Sequence, residues 1–182
     1  MTVIATDIPD LYILEPKVLG DSRGWFMESW SATIMQEIGF DYDFVQDNHS
    51  FSVGKGILRG IHFQQSPYSQ AKLVRCTKGA VLDVAIDLRK NSPTYKKWAA
   101  VELTAENRWQ LLIPRGFGHG FLTLTNDSEF LYKADNPYNA AADRSIIWND
   151  PELAINWGIE EPSLSEKDIS APLLKDSDCN YV

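Results

Sequence analysis

This chain has little of what most metal and redox chemistry requires. Its 182 residues include three histidines and two cysteines. Cys76 and Cys179 form neither a disulfide framework nor a CxxC metal pair. Cys76 falls in an apolar stretch and reads as a small buried hydrophobe. His49, His62 and His119 contain no His-x-His pair, the usual start of a barrel-type metal centre, so no iron or zinc site is expected. No apolar run approaches membrane-spanning length. A basic region followed by an apolar run, the mark of a secretory signal, is missing at the N-terminus; the expected compartment is cytoplasmic. No glycine-rich phosphate loop and no strand–helix alternation occur, which argues against a Rossmann domain. Positive charge is also scarce. A formal net charge of −8 argues against nonspecific nucleic-acid binding.

What is present is a β pattern. Ala80 to Leu88 alternates, with Leu82, Val84, Ile86 and Leu88 on one side and Val81, Asp83, Ala85 and Asp87 on the other. Lys72 to Thr77, Trp98 to Leu103, Arg108 to Ile113, Phe121 to Thr125 and Glu129 to Ala134 read as further strands. Turn residues punctuate them at Lys78-Gly79, Asn91-Ser92-Pro93 and Pro114-Arg115-Gly116. One short helix precedes this region: Ser31 caps it, Ile34, Met35 and Ile38 share a face, and Gly39 ends it. The expected fold is mainly β, an antiparallel sandwich or barrel. A single domain over 1–182 is expected, with the barrel at about 43–135 and a C-terminal wrap at about 149–182 carrying a short helix or two. The residues from about Asp176 are expected to be loose.

One stretch stands out chemically. Gly56 to Gln64 reads GILRGIHFQ, and Lys72 follows. His62 exchanges a proton near neutral pH. Arg59 forks onto phosphate, and Lys72 offers a point charge to a developing oxyanion. A histidine base is better oriented by a carboxylate; Asp83, Asp87 and Asp168 are the candidates, and the sequence alone does not choose. Tyr132 is a phenol donor or a core tyrosine. His119 sits among glycines that would let backbone approach a ligand, or it is a structural histidine. In an extended segment Phe26 and Glu28 share a face, where one covers a ring and the other accepts its N–H. Tyr138 is a further stacking platform. Arg59 and His62 are an odd number of residues apart, so a regular strand would point them to opposite faces. Both serve one pocket only if the chain turns or bulges near Gly60.

Taken in order along the chain, these segments resemble the dTDP-4-dehydrorhamnose 3,5-epimerase family. The similarity runs from Asp21-Ser22-Arg23-Gly24-Trp25-Phe26-Met27-Glu28 through Gln46-Asp47-Asn48-His49-Ser50, Gly56 to Gln64, Gln70 to Val74 and Ile113 to Phe121. It ends in Trp148-Asn149-Asp150-Pro151 and Leu164-Ser165-Glu166-Lys167-Asp168. The resemblance implies a cupin-like jelly-roll barrel, a homodimer, no cofactor and a 4-keto-6-deoxyhexose nucleotide as substrate. It implies His62 as base, Asp168 as its carboxylate partner, Lys72 beside the ketone oxygen and Tyr132 as opposing acid. Arg59, His119, Gln46 and Asn48 match sugar-diphosphate contacts. Arg23, Phe26 and Glu28 match a segment lent to the neighbouring subunit's nucleotide pocket, and Tyr138 matches an aromatic near the base. Asn136-Pro137-Tyr138 and Asp143-Arg144-Ser145 depart from the family pattern beside that pocket. Three other readings remain open on sequence: inversion at one carbon only, a non-catalytic nucleotide-sugar-binding barrel, and a metal-dependent cupin.

Overall fold

A computed structural model describes residues 1–182. In chain order the elements are β1 (Thr2–Ala5), β2 (Tyr12–Glu15), β3 (Val18–Asp21), β4 (Gly24–Met27), α1 (Ala32–Glu37), β5 (Gln46–Ser52), β6 (Leu58–Gln64) and β7 (Lys72–Lys78). There follow β8 (Ala80–Asp87), β9 (Trp98–Thr104), β10 (Gln110–Ile113), β11 (Phe117–Thr123), β12 (Ser128–Ala134), β13 (Asp143–Ser145), α2 (Glu166–Ile169) and a 3-10 turn at Leu174–Asp176. Two antiparallel sheets face each other, in the orders β1-β2-β10-β7-β12-β5 and β13-β6-β11-β8-β9. The result is a mainly β, cupin-like jelly roll with two short helices. β1, β2 and β13 join these sheets from outside the 43–135 stretch.

Alternation explains the layers. Val81 and Ala85 of β8 enter the core between the sheets, with Val74, Leu111, Phe121 and Phe130. Val84, Ile86 and Leu88 enter a second core on the outer face, covered by Leu153, Trp157, Leu174 and Tyr181. β8 is therefore buried on both faces, and its two aspartates must find partners. Asp87 takes bonds from Arg89, Ser92 and Thr94, which hold its carboxyl below the usual range against the opposing effect of burial. Cys76 lies in the inner core, as its apolar setting indicates. A third cluster, around Leu14, Leu73 and Leu112, is covered by Met35 of α1. Ser31 caps that helix by accepting from the Ile34 N–H.

Three expectations need correction. β11 begins at Phe117, not Phe121, so His119 lies within a strand rather than in a glycine-rich loop. Gly120 serves the chain's own packing: a Cβ there would lie 2.9 Å from the Arg59 carbonyl oxygen. The C-terminus is tied down rather than loose. Cys179 and Tyr181 are buried, Asn180 bonds the Ser66 backbone on both sides, and the Tyr181 hydroxyl donates to the Gln64 carbonyl. Two apolar side chains and a paired amide are enough to anchor seven residues whose composition reads as polar.

Candidate active site

One end of the barrel opens into a cavity of about 430 Å³, within the usual range of about 300–1,000 Å³ for small-molecule sites. Its polar lining includes Arg59 and His62 of β6, Lys72 of β7, His119 of β11, Tyr132 of β12 and Asp168 of α2. Five separate elements thus converge on it. The irregularity expected near Gly60 is there. Arg59 pairs with Phe121 and His62 with His119, so two residues of β6 stand opposite the single Gly120 of β11. The bulge reverses the alternation and turns both side chains into the cavity. Gly60 has φ +130°, and a Cβ on it would lie 2.5 Å from the Gly120 Cα, so the position requires glycine.

Of the three carboxylates the sequence left open, Asp168 is the partner of His62. His62 Nε2 lies 2.6 Å from Asp168 Oδ1, and Asp168 is only 2% exposed. Burial pushes this carboxyl up, but the bonds from His62 and Ser165 outweigh it and hold the pKa below the ordinary aspartate value. An ionised carboxylate only accepts, so the His62 tautomer it favours carries its proton on Nε2. Asp83, fully buried, holds His119 instead, at 2.9 Å. Burial drives the His119 pKa down, partly offset by Asp83, so His119 is neutral at pH 7. Its ring stacks near Phe130, which in turn stacks on Phe121 at 4.2 Å.

Lys72 has no carboxylate partner. Its Nζ lies 5.6 Å from the Tyr132 ring centre. Burial of the ammonium lowers its pKa to about 8, with Asp83 and Asp143 opposing the fall. Burial also raises the Tyr132 pKa, as does Asp143, so the phenol keeps its proton. The site therefore holds a carboxylate-oriented imidazole, a poorly solvated cation and a protonated phenol side by side. No three His, Cys, Asp or Glu side chains converge to hold a metal ion.

The remaining expected residues divide. Arg59 lines the cavity while its guanidinium donates to the Phe51 carbonyl and Ser52 hydroxyl. Gln46 and Asn48 point the same way as Tyr132, but they bond each other at 3.0 Å, and Gln46 also accepts from the Tyr138 backbone N–H. Tyr138 is exposed, and its hydroxyl donates to Asp143, which also pairs with Lys167. Arg23, Phe26 and Glu28 are not brought to this cavity. They belong to or follow the β3–β4 hairpin, which pairs with no other strand. Phe26 is 68% exposed. The sequence reading missed Ser50, Ser163 and Ser165 in the lining. For Ser165 a signal existed: Ser-x-x-Asp over 165–168 has capping-box spacing.

Fold and pocket together define a cupin-like barrel equipped to move protons. Comparison with known proteins carries this further. The sequence model described as dTDP-4-dehydrorhamnose 3,5-epimerase matches residues 5–176, and the chain belongs to that family. It is 52% identical over 179 residues to the dTDP-4-dehydrorhamnose 3,5-epimerase of Shigella flexneri, covering 98% of each protein. The crystal structure of the Bacillus anthracis enzyme, with TDP and PPi bound, matches at TM-score 0.93 and 47% identity over 95% of this chain and 99% of that one. The Legionella pneumophila epimerase, solved with dTDP-4-keto-L-rhamnose, matches at TM-score 0.93 and 46% identity over 97% and 94%.

Proposed function

We propose that this chain inverts C3 and C5 of dTDP-4-dehydro-6-deoxy-D-glucose, giving dTDP-4-dehydro-L-rhamnose, without a cofactor. The observation that carries the reading is the convergence of His62–Asp168, Lys72 and Tyr132 on one cavity. A ketone at C4 acidifies the C–H bonds on both neighbouring carbons. The free ring nitrogen of His62 takes one of those protons, and the bonding pair moves onto the ketone oxygen as an enolate. Lys72 stands by as the cation for that oxygen; stabilising charge where it develops is usually the largest catalytic contribution. Tyr132 returns a proton from the opposite face and inverts the centre. Solvent then resets both groups, and a second cycle inverts the other carbon. Each proton-transfer group contributes about 10²–10⁴-fold. Asp168 holds the imidazole in one tautomer and stabilises its charged form.

Arg59 and His119 receive the sugar diphosphate, and Gln46 and Asn48 border it. Tyr138 lies beside the base ring. The nucleotide pocket is completed in a homodimer, where Arg23, Phe26 and Glu28 of the exposed hairpin reach the neighbouring subunit. Its exposed Leu19, Trp25 and Phe26 form an apolar surface that the chain covers only in part, where the Arg108 guanidinium stacks on the Trp25 ring. In the cytoplasm the protein would meet its nucleotide-sugar substrate as a small soluble ligand.

His62→Ala tests the assignment of the base. It should abolish turnover while leaving dTDP affinity, measured by calorimetry, within about threefold of wild type, because the imidazole acts on the sugar rather than the nucleotide. Clear activity in this variant would remove His62 from the role.

A further inference from the structure

Asp168 is held at both ends of its carboxylate. Oδ1 meets His62 Nε2, and Oδ2 accepts the Ser165 hydroxyl at 2.7 Å. The same serine oxygen accepts the Asp168 backbone N–H at 3.2 Å and lines the cavity. We propose that Ser165 is a positioning residue for the His62–Asp168 pair, its hydroxyl fixing the carboxylate that orients the base. The proposal rests on His62 being the base.

Local geometry leaves the task to this hydroxyl. α2 has four residues, too few to be rigid by itself, and the terminal torsion of an aspartate is soft. With one oxygen bonded, the carboxylate would pivot about its Oδ1 contact and carry the imidazole with it. With both bonded, the plane of the carboxylate is set. One serine therefore does two separable things: it caps α2 by accepting, and it orients Asp168 by donating. The donated bond also helps keep Asp168 ionised despite its burial. The other titratable groups around the cavity are Lys72 on β7, His119 on β11 and Tyr132 on β12. Arg59 of β6 is also there, with the Lys167–Asp143 pair beside it. None of these makes a hydrogen bond to Asp168.

The two tasks are separated by substitution. Ser165→Gly loses the donated bond but weakens the cap only slightly and adds no charge. Ser165→Thr retains both bonds, and Ser165→Ala retains neither. The measurement is kcat, KM and Tm for all three, with His62→Ala run alongside. S165G is expected to melt close to wild type and keep its KM. Its kcat should fall about 10-fold or more, the scale of a hydrogen bond to a charged group. S165T should recover most of kcat, and S165A should share the kinetic loss. Wild-type kcat in S165G would overturn the proposal, as would losses of kcat that simply follow Tm across all three. An active His62→Ala would overturn the base assignment first and the proposal with it.

Discussion

Arg59 and His62 reach one cavity from a single strand because Gly60 and Ile61 together stand opposite one residue, Gly120. The bulge costs a position where only glycine fits, and it is what joins an anion-binding guanidinium to a proton-accepting imidazole. Gly60→Ala is therefore expected to lose both stability and activity. Positive φ and a Cβ 2.5 Å from the Gly120 Cα should cost roughly 2 kcal/mol or more. Urea unfolding monitored by tryptophan fluorescence measures it; a midpoint equal to wild type would contradict the strain.

Asp168→Asn keeps the shape but alters the charge that orients His62. Turnover should fall by roughly 10²–10⁴-fold. Because the folded pKa of Asp168 lies below its ordinary value of 3.8, its contribution to stability is present above that value. It is lost as pH falls through the folded pKa. The Tm difference between wild type and D168N should accordingly shrink as pH falls below about 3.8. A constant difference across pH would show that the carboxylate's charge does not stabilise the fold.

Lys72 trades stability for function. Its pKa is lowered to about 8 from 10.5, so between these values the unfolded chain binds more protons than the folded one. Wild-type stability should rise with pH across that window. Lys72→Met removes a poorly solvated cation: Tm should increase at pH 7, the gain should fade by about pH 10.5, and activity should drop by about 10²-fold or more. Wild-type activity itself should decline above about pH 8. A K72M variant that melts earlier at pH 7 would contradict this balance.

The barrel strands were legible because one period-2 pattern, Ala80 to Leu88, places apolar residues on both faces. The two faces then build the inner and outer cores. α1 was legible from Ser31. The bulge at Gly60 was legible from parity once Arg59 and His62 were both expected to serve one pocket. Other features depend on long-range pairing. The choice of Asp168 over Asp83 and Asp87 brings together residues 106 positions apart, which no local pattern encodes. The glycines around His119 looked like room for a ligand and instead accommodate β6. The hairpin of Arg23 and Phe26 gives no sign of its role within one chain, since its Leu19 and Phe26 stay exposed there.

The tail correction has its own test. Tyr181 packs against Phe63, with ring centres 5.6 Å apart, and its hydroxyl bonds the last residue of β6. Tyr181→Ala should destabilise the protein by about 3 kcal/mol, read by denaturant unfolding. A change under about 0.5 kcal/mol would mean the C-terminal residues contribute no packing.

The most direct measurement of the central claim is proton NMR of the enzyme with dTDP-4-keto-6-deoxy-D-glucose in D₂O, without a reductase. Loss of signal and appearance of deuterium at both C3 and C5 is the expected result, since His62 and Tyr132 serve each centre in turn. Label at one carbon would contradict double inversion and direct attention to residues 136–145. Absence of label at either carbon would contradict the proposed chemistry altogether.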